Sequence, residues 1–181
     1  MFLNGHGFDY ILKVFMTKEV SLSGIQSKSD ELRSLFELKH IAFLLKLLRI
    51  FIMAAFSSND KESSIFDTSA QNGSQVSRLL QLQKIMQGPI SEHIISNIDY
   101  KSLLHKIMSL ISQVLSKRDQ MIFEDKLIVE NTLSLMVGCI LHKNELLNDF
   151  YSFKNPSEFV ISGLLDCQHE RIREDFKSSF G

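Results

Sequence analysis

The run from Ile41 to Phe56 constrains this chain more than any other stretch, because only Lys46 and Arg49 interrupt its apolar residues. A helix that apolar on nearly every side has to be covered by other elements. A membrane span needs roughly 20 apolar residues. This run is shorter and holds two cations near its middle, so the expectation is a buried core helix. Lys46 and Arg49 stand three apart, share one face, and mark its solvent side. The helix should begin near Leu32, with Ser29 or Asp30 as its cap. It should run for about 25 residues, whole or with one break near His40.

The rest of the chain reads as amphipathic helices able to cover that element. Phe8, Ile11, Leu12, Phe15 and Met16 recur at helical spacing, and Asp9 suits a helix start. Residues 21–29 are a polar connector. Residues 57–77 are rich in Ser, Asn, Asp, Gln and Gly, and are expected to form a flexible loop, read as an insertion. Helical periodicity resumes over residues 78–87 and stops at Gly88-Pro89. A short helix or turn is expected over Ser91–Ile98, with Ile94, Ile95 and Ile98 inward. Asp99 should cap the next, whose stripe is Leu103, Leu104, Ile107, Met108, Ile111 and Val114, with Lys117-Arg118 at its C-terminal end. Phe123–His142 reads as a long helix with an apolar stripe through Leu127, Ile128, Leu133, Leu135, Met136, Val137, Cys139, Ile140 and Leu141. Gly138 inside it costs about 1 kcal/mol relative to alanine, which a close helix–helix contact would explain. Asn144 should cap a segment over residues 145–151. Asn155-Pro156-Ser157 should open another over residues 158–165, and His169–Phe180 should be the last, with Ile172 and Phe176 inward.

Strand signals are absent, and at 181 residues one domain spanning 1–181 can bury a core. The expected fold class is therefore all-α. The helix lengths suggest stacked antiparallel helical hairpins, armadillo/HEAT-like, with one long flexible loop. No fixed period aligns the repeats, and a compact irregular helical bundle is the alternative. With 20 basic and 21 acidic residues the net charge is −1, which offers no footprint for nucleic acid. No membrane partner is expected either. Two cysteines, Cys139 and Cys167, fit free thiols in a reducing compartment, and the start of the chain lacks a secretory pattern.

A search for chemistry finds none. Cys167 and His169 lie two apart, so on a helix they face away from each other and do not make a thiol–imidazole pair. Cys167 reads as structural, His169 as a surface group and Cys139 as packing. The six histidines, His6, His40, His93, His105, His142 and His169, fall into no metal-ligand spacing, so no zinc site is expected. His142-Lys143 suits a helix C-terminus. Glu124-Asp125 and Glu174-Asp175 point in different directions on a helix, and a solvated face explains both pairs. The alternation of Glu170, Glu174 and Asp175 with Arg171, Arg173 and Lys177 reads as an exposed salt-bridged face. No phosphate loop is present. Catalytic, cofactor and metal residues are therefore expected to be none. A small enzyme using Cys167 as nucleophile is the weakest reading of the residues.

A family resemblance adds to this. Val129-Glu130-Asn131-Thr132-Leu133, with Val137-Gly138-Cys139-Ile140-Leu141-His142 and then Glu145-Leu146-Leu147 and Phe150, resembles a helical-repeat segment of very large ubiquitin-specific proteases of the fat-facets type. Phe159-Val160-Ile161, Gly163-Leu164-Leu165-Asp166-Cys167 and Glu170-Arg171-Ile172-Arg173-Glu174-Asp175-Phe176 are similar to helices those proteins carry before their catalytic domain. Phe2-Leu3-Asn4-Gly5-His6-Gly7-Phe8 resembles their F-L-x-x-G-G helix entry, with His6 in place of a glycine. The likeness covers about half the chain, and its motifs are packing patterns. The family's catalytic cysteine and histidine boxes are not in these residues. The resemblance implies a non-catalytic scaffold segment of a larger ubiquitin carboxyl-terminal hydrolase, in the cytoplasm and also the nucleus. Its implied partners are ubiquitin, a substrate or neighbouring domains of the parent chain. The opening Met1-Phe2-Leu3 and the ending at Phe180-Gly181 fit a fragment.

Overall fold

The structure, a computed structural model, describes residues 6–18, 28–59, 89–117, 121–153, 160–161, 163, 167 and 170–180, with the backbone alone at 28–33 and 59. Seven helices are formed among them: α1 (His6–Thr17), α2 (Lys28–Asn59), α3 (Pro89–Asn97), α4 (Tyr100–Leu115), α5 (Phe123–His142), α6 (Leu146–Ser152) and α7 (Glu170–Phe180). No strand occurs among the described residues, and the fold is all-α.

The apolar run lies in α2, which is one unbroken helix of 32 residues, with no break at His40. It begins at Lys28, ahead of both expected caps. It also continues through Ser57, Ser58 and Asn59, the first three residues of the expected loop. Two hydroxyls explain the extension: Ser57 donates to the Met53 carbonyl at 3.0 Å and Ser58 to the Ala54 carbonyl at 2.8 Å, so neither competes for a turn. Residues 60–77, the expected helices over 78–87 and most of 158–165, and His169 lie outside the described residues. By length and composition Ser34–Ser58 could cross a membrane, but half of its most apolar window is buried inside the protein. Leu45, Leu48 and Ile52 are fully enclosed there. Lys46 is exposed on the expected solvent side, whereas Arg49 is half-buried with one guanidinium nitrogen 3.9 Å from Glu130.

Side-chain pairings give the helix directions. Phe8 meets Phe51 with ring centroids 6.3 Å apart, and Lys18 Nζ reaches His40 Nδ1 at 3.1 Å, so α1 runs antiparallel to α2. Tyr100 approaches His142 at one end of α4 and α5, and Lys117 pairs with Asp125 at the other, so these two are also antiparallel. Lys39 with Glu124, Arg49 with Glu130 and Phe56 with His142 then put α5 beside α2 and parallel to it. Arg171 with Glu130 places α7 along the other flank of α5. The core runs through all of them, from Phe8 and Phe15 through Leu103, Ile107 and Ile111 to Leu135, Ile172 and Phe176.

The local signals explain the ends. Asp99 caps α4 as expected: one carboxylate oxygen accepts from the Ser102 backbone N–H at 3.1 Å, and the other from its hydroxyl at 2.6 Å. These bonds hold the Asp99 carboxyl below its ordinary value. Pro89 stands at the first position of α3, where its missing N–H costs nothing. Asn144 does not cap α6. The cap residue is Glu145, with no side-chain bond, and Asn144 contributes its carbonyl to Leu147 N–H at 3.1 Å.

Candidate functional site

The candidate site is a cleft of about 290 Å³ where α2, α5 and α7 converge. Its floor is Gly138, its apolar wall includes Met53 and Leu141, and its polar wall carries Glu130, Ser134 and Asp175. A Cβ at Gly138 would meet the end of the Met53 side chain, so the bare backbone of α5 lies directly under that thioether. The close helix contact expected at Gly138 is therefore present. Leu141, read as part of the apolar stripe, instead stands exposed at the rim, on the outer side of α5.

The electrostatics of the cleft are those of a partly compensated acidic pair. Glu130 accepts a hydrogen bond from Arg171 Nη2 at 2.7 Å and has Arg49 at 3.9 Å on its other oxygen. Asp175 has one buried carboxylate oxygen with no hydrogen-bond partner. Burial foremost, and then the negative charge of Glu130, push its carboxyl above the ordinary value, while Arg171 pulls the other way. The exposed face expected on the last helix is present at Glu170, Arg171, Arg173, Glu174 and Lys177, and only Asp175 departs from it. Asp175 is partly buried, and Arg171 reaches across to Glu130 on α5. Ser178 and Ser179 also line the cleft, but both hydroxyls donate to the Asp175 backbone carbonyl, at 2.9 and 2.7 Å. No imidazole or thiol is among the lining residues of the cleft.

The other sequence candidates are dispersed. Cys139 and Cys167 are both buried free thiols. Burial pushes the Cys139 thiol up to about 12, so it stays protonated and inert. His142 lies flat on Phe56 with centroids 4.0 Å apart, and Lys143 Nζ sits 4.5 Å over the Tyr100 ring. Both stand at the C-terminal end of α5 as expected, and these ring contacts hold them there. Asp125 overturns the reading of Glu124-Asp125 as a solvated face. Asp125 is 0 % exposed, accepts from Lys117 Nζ at 2.7 Å, and accepts from the Ile122 backbone N–H at 3.0 Å. The sequence signal was there: an acid in the third helical position, facing a lysine across a short turn.

One polar cluster had no sequence signal. His93 Nε2 lies 2.9 Å from Asp9 Oδ2, and His6 Nδ1 lies 3.9 Å from the same oxygen, which ties the start of α1 to α3. Asn97 completes it with an amide 2.9 Å from His93 Nε2. Residues 84 apart in sequence meet there, and only folding brings them together. No group of three or more His, Cys, Asp or Glu suited to a metal ion occurs among the described residues. No protein-family model matches the chain, and neither a curated protein nor a solved structure matches it.

Proposed function

We propose that this chain is a non-catalytic helical scaffold, of armadillo/HEAT type, that positions protein partners within a large ubiquitin carboxyl-terminal hydrolase. The observation that carries the scaffold half is the order of the helices. α1 with α2, and α4 with α5, are antiparallel pairs, and the second members α2 and α5 lie side by side and parallel, with α7 next to α5. Hairpins stacked in register have that order, and a stack presents continuous surfaces along its length. The ubiquitin half rests on the resemblance of residues 129–150 and 159–176 to the helical arms of fat-facets-type proteases. Thiol-dependent isopeptidase chemistry would belong to a separate domain of the parent chain. The partners of this segment would be ubiquitin, a substrate or a neighbouring domain, met in the cytoplasm or nucleus.

Two measurements test the halves separately. The purified chain, incubated with ubiquitin–rhodamine and with isopeptide-linked diubiquitin, is expected to cleave neither; turnover that survives Cys139→Ser and Cys167→Ser controls, or is abolished by one of them, would overturn the non-catalytic reading. Sequencing the source transcript should reveal a cysteine box and a distant histidine box in the same reading frame. Further helices without them would favour a helical adaptor unrelated to ubiquitin.

A further inference from the structure

The face of α2 turned away from the core is not an ordinary solvated surface. Phe36 is 72 % exposed and Phe43 59 % exposed, and Ile50 continues the row half-buried. These three are spaced by seven, so they stack along one line of the helix at intervals of about 10 Å. His40 and Leu47 fill the alternate positions between them. Lys39 and Lys46, again seven apart, run beside the row, and both are exposed. Phe123, 63 % exposed at the start of α5, extends the apolar area sideways, because Lys39 lies 3.8 Å from the neighbouring Glu124. A single exposed phenylalanine needs no explanation, but an apolar row at seven-residue spacing with lysines along one flank is the arrangement a partner helix uses.

We propose that this face of α2 docks an amphipathic helix of a protein partner, with apolar residues at heptad spacing and Glu or Asp beside them. The charges decide the occupant. Lys46 has no carboxylate partner among the described residues, and Lys39 has only Glu124 at 3.8 Å. A second copy laid antiparallel on the same face would set Lys46 against a lysine of its copy, a like-charge contact. An acidic-flanked helix instead covers the phenylalanines and answers both lysines. Recognition is of the helix-on-helix kind, read at positions seven apart. The inference rests on the scaffold half of the proposed function and is independent of the ubiquitin half.

The test uses a fluorescein-labelled three-heptad peptide with Leu at its two seam positions and Glu at the flanking ones. Its own charges keep it from pairing with itself at neutral pH. The chain should bind it, by fluorescence anisotropy, in the micromolar range. The exposed double variant Phe36→Ser/Phe43→Ser should weaken binding at least tenfold while keeping the helical circular dichroism. Lys39→Glu/Lys46→Glu should weaken it about fivefold, and should bind the same peptide carrying Lys in place of Glu, which the parent chain should not. Several results would overturn the proposal: no saturable binding, binding indifferent to both double variants, or a concentration-dependent dimer by sedimentation that buries the phenylalanines. Partition of the chain onto phosphatidylserine vesicles through Phe36 and Phe43, with no peptide bound, would equally overturn it in favour of a membrane surface. None of these outcomes bears on the ubiquitin-cleavage assay, so a failed peptide and a failed parent-enzyme reading remain distinguishable.

Discussion

Asp125 shows how a single side chain can hold an element boundary. Its carboxylate is wholly enclosed, takes a charge-assisted bond from Lys117, and reaches back to the Ile122 N–H at the start of α5. Taking away one partner of a buried pair leaves the other uncompensated, which typically costs about 3–5 kcal/mol. Lys117 is itself partly exposed, so the lower end applies: Asp125→Ala should lower the stability by about 3 kcal/mol in urea unfolding. Asp175 should behave in the opposite sense. Its folded carboxyl is raised above the unfolded value, so the folded state binds its proton more tightly, and stability from this group falls as pH rises through that raised range. Asp175→Asn should therefore raise the thermal midpoint at pH 7. The gain should shrink as the pH is brought down towards the unfolded carboxylate value; an advantage that stays constant with pH would contradict the assignment to burial and Glu130. Cys139, raised to about 12, should resist iodoacetamide at pH 8 in the folded chain and react once urea opens the core, as read by peptide mass spectrometry. At this scale the sequence was legible where a residue acts locally, as Asp99 does. It was silent where a pair is made by folding, as with Asp9 and His93. Nothing in the spacing of those two residues announces the contact.

Among the elements, two glycines separate backbone freedom from packing. An alanine at Gly138 would meet the end of the flexible Met53 side chain, which can swing aside, while the helix interior gains about 1 kcal/mol of propensity. An alanine at Gly163 would meet the Phe176 ring, which is fully enclosed and cannot swing. Gly138→Ala should thus leave the thermal midpoint level or slightly raised, and Gly163→Ala should lower stability by about 1–3 kcal/mol. Equal losses at the two positions would mean that Met53 is as firmly held as Phe176. Among the described residues helix existence was readable because apolar residues recur at 3–4 spacing, as in α4 and α7. Helix ends were less so. α2 overran its expected end because Ser57 and Ser58 turn their hydroxyls back onto the preceding carbonyls, a choice composition does not reveal.

For the molecule as a whole, α2 and α5 are the shared spine. Each carries fully buried leucines, Leu48 in one and Leu135 in the other, and each touches helices on more than one side. Leu48→Ala and Leu135→Ala should each cost about 2–5 kcal/mol and move one and the same cooperative transition, whether followed by circular dichroism or by tyrosine fluorescence. Two separable transitions would show that the α1–α2 and α4–α5 pairs fold independently. The all-α class was legible because the sequence alternates apolar stripes and short breaks. The cleft was not, because its walls come from three helices whose mutual placement is written in no single stretch. Glu130 and Asp175 meet there only through the packing of α7 on α5.

The parallel lie of α2 and α5 also has a temporal side. Helices joined by a short turn are antiparallel and can zip up as they form, but partners that run the same way must wait for a long stretch of chain to pass between them. Here about 85 residues separate each contact from its mate, so closing that loop sacrifices considerable chain freedom before any apolar area is gained. During synthesis, at about 5–20 residues per second, the greasiest helix of the protein would stand on the ribosome without its main companion for about 4–17 s. The same feature that gives the finished fold its spine leaves the nascent helix uncovered for that interval.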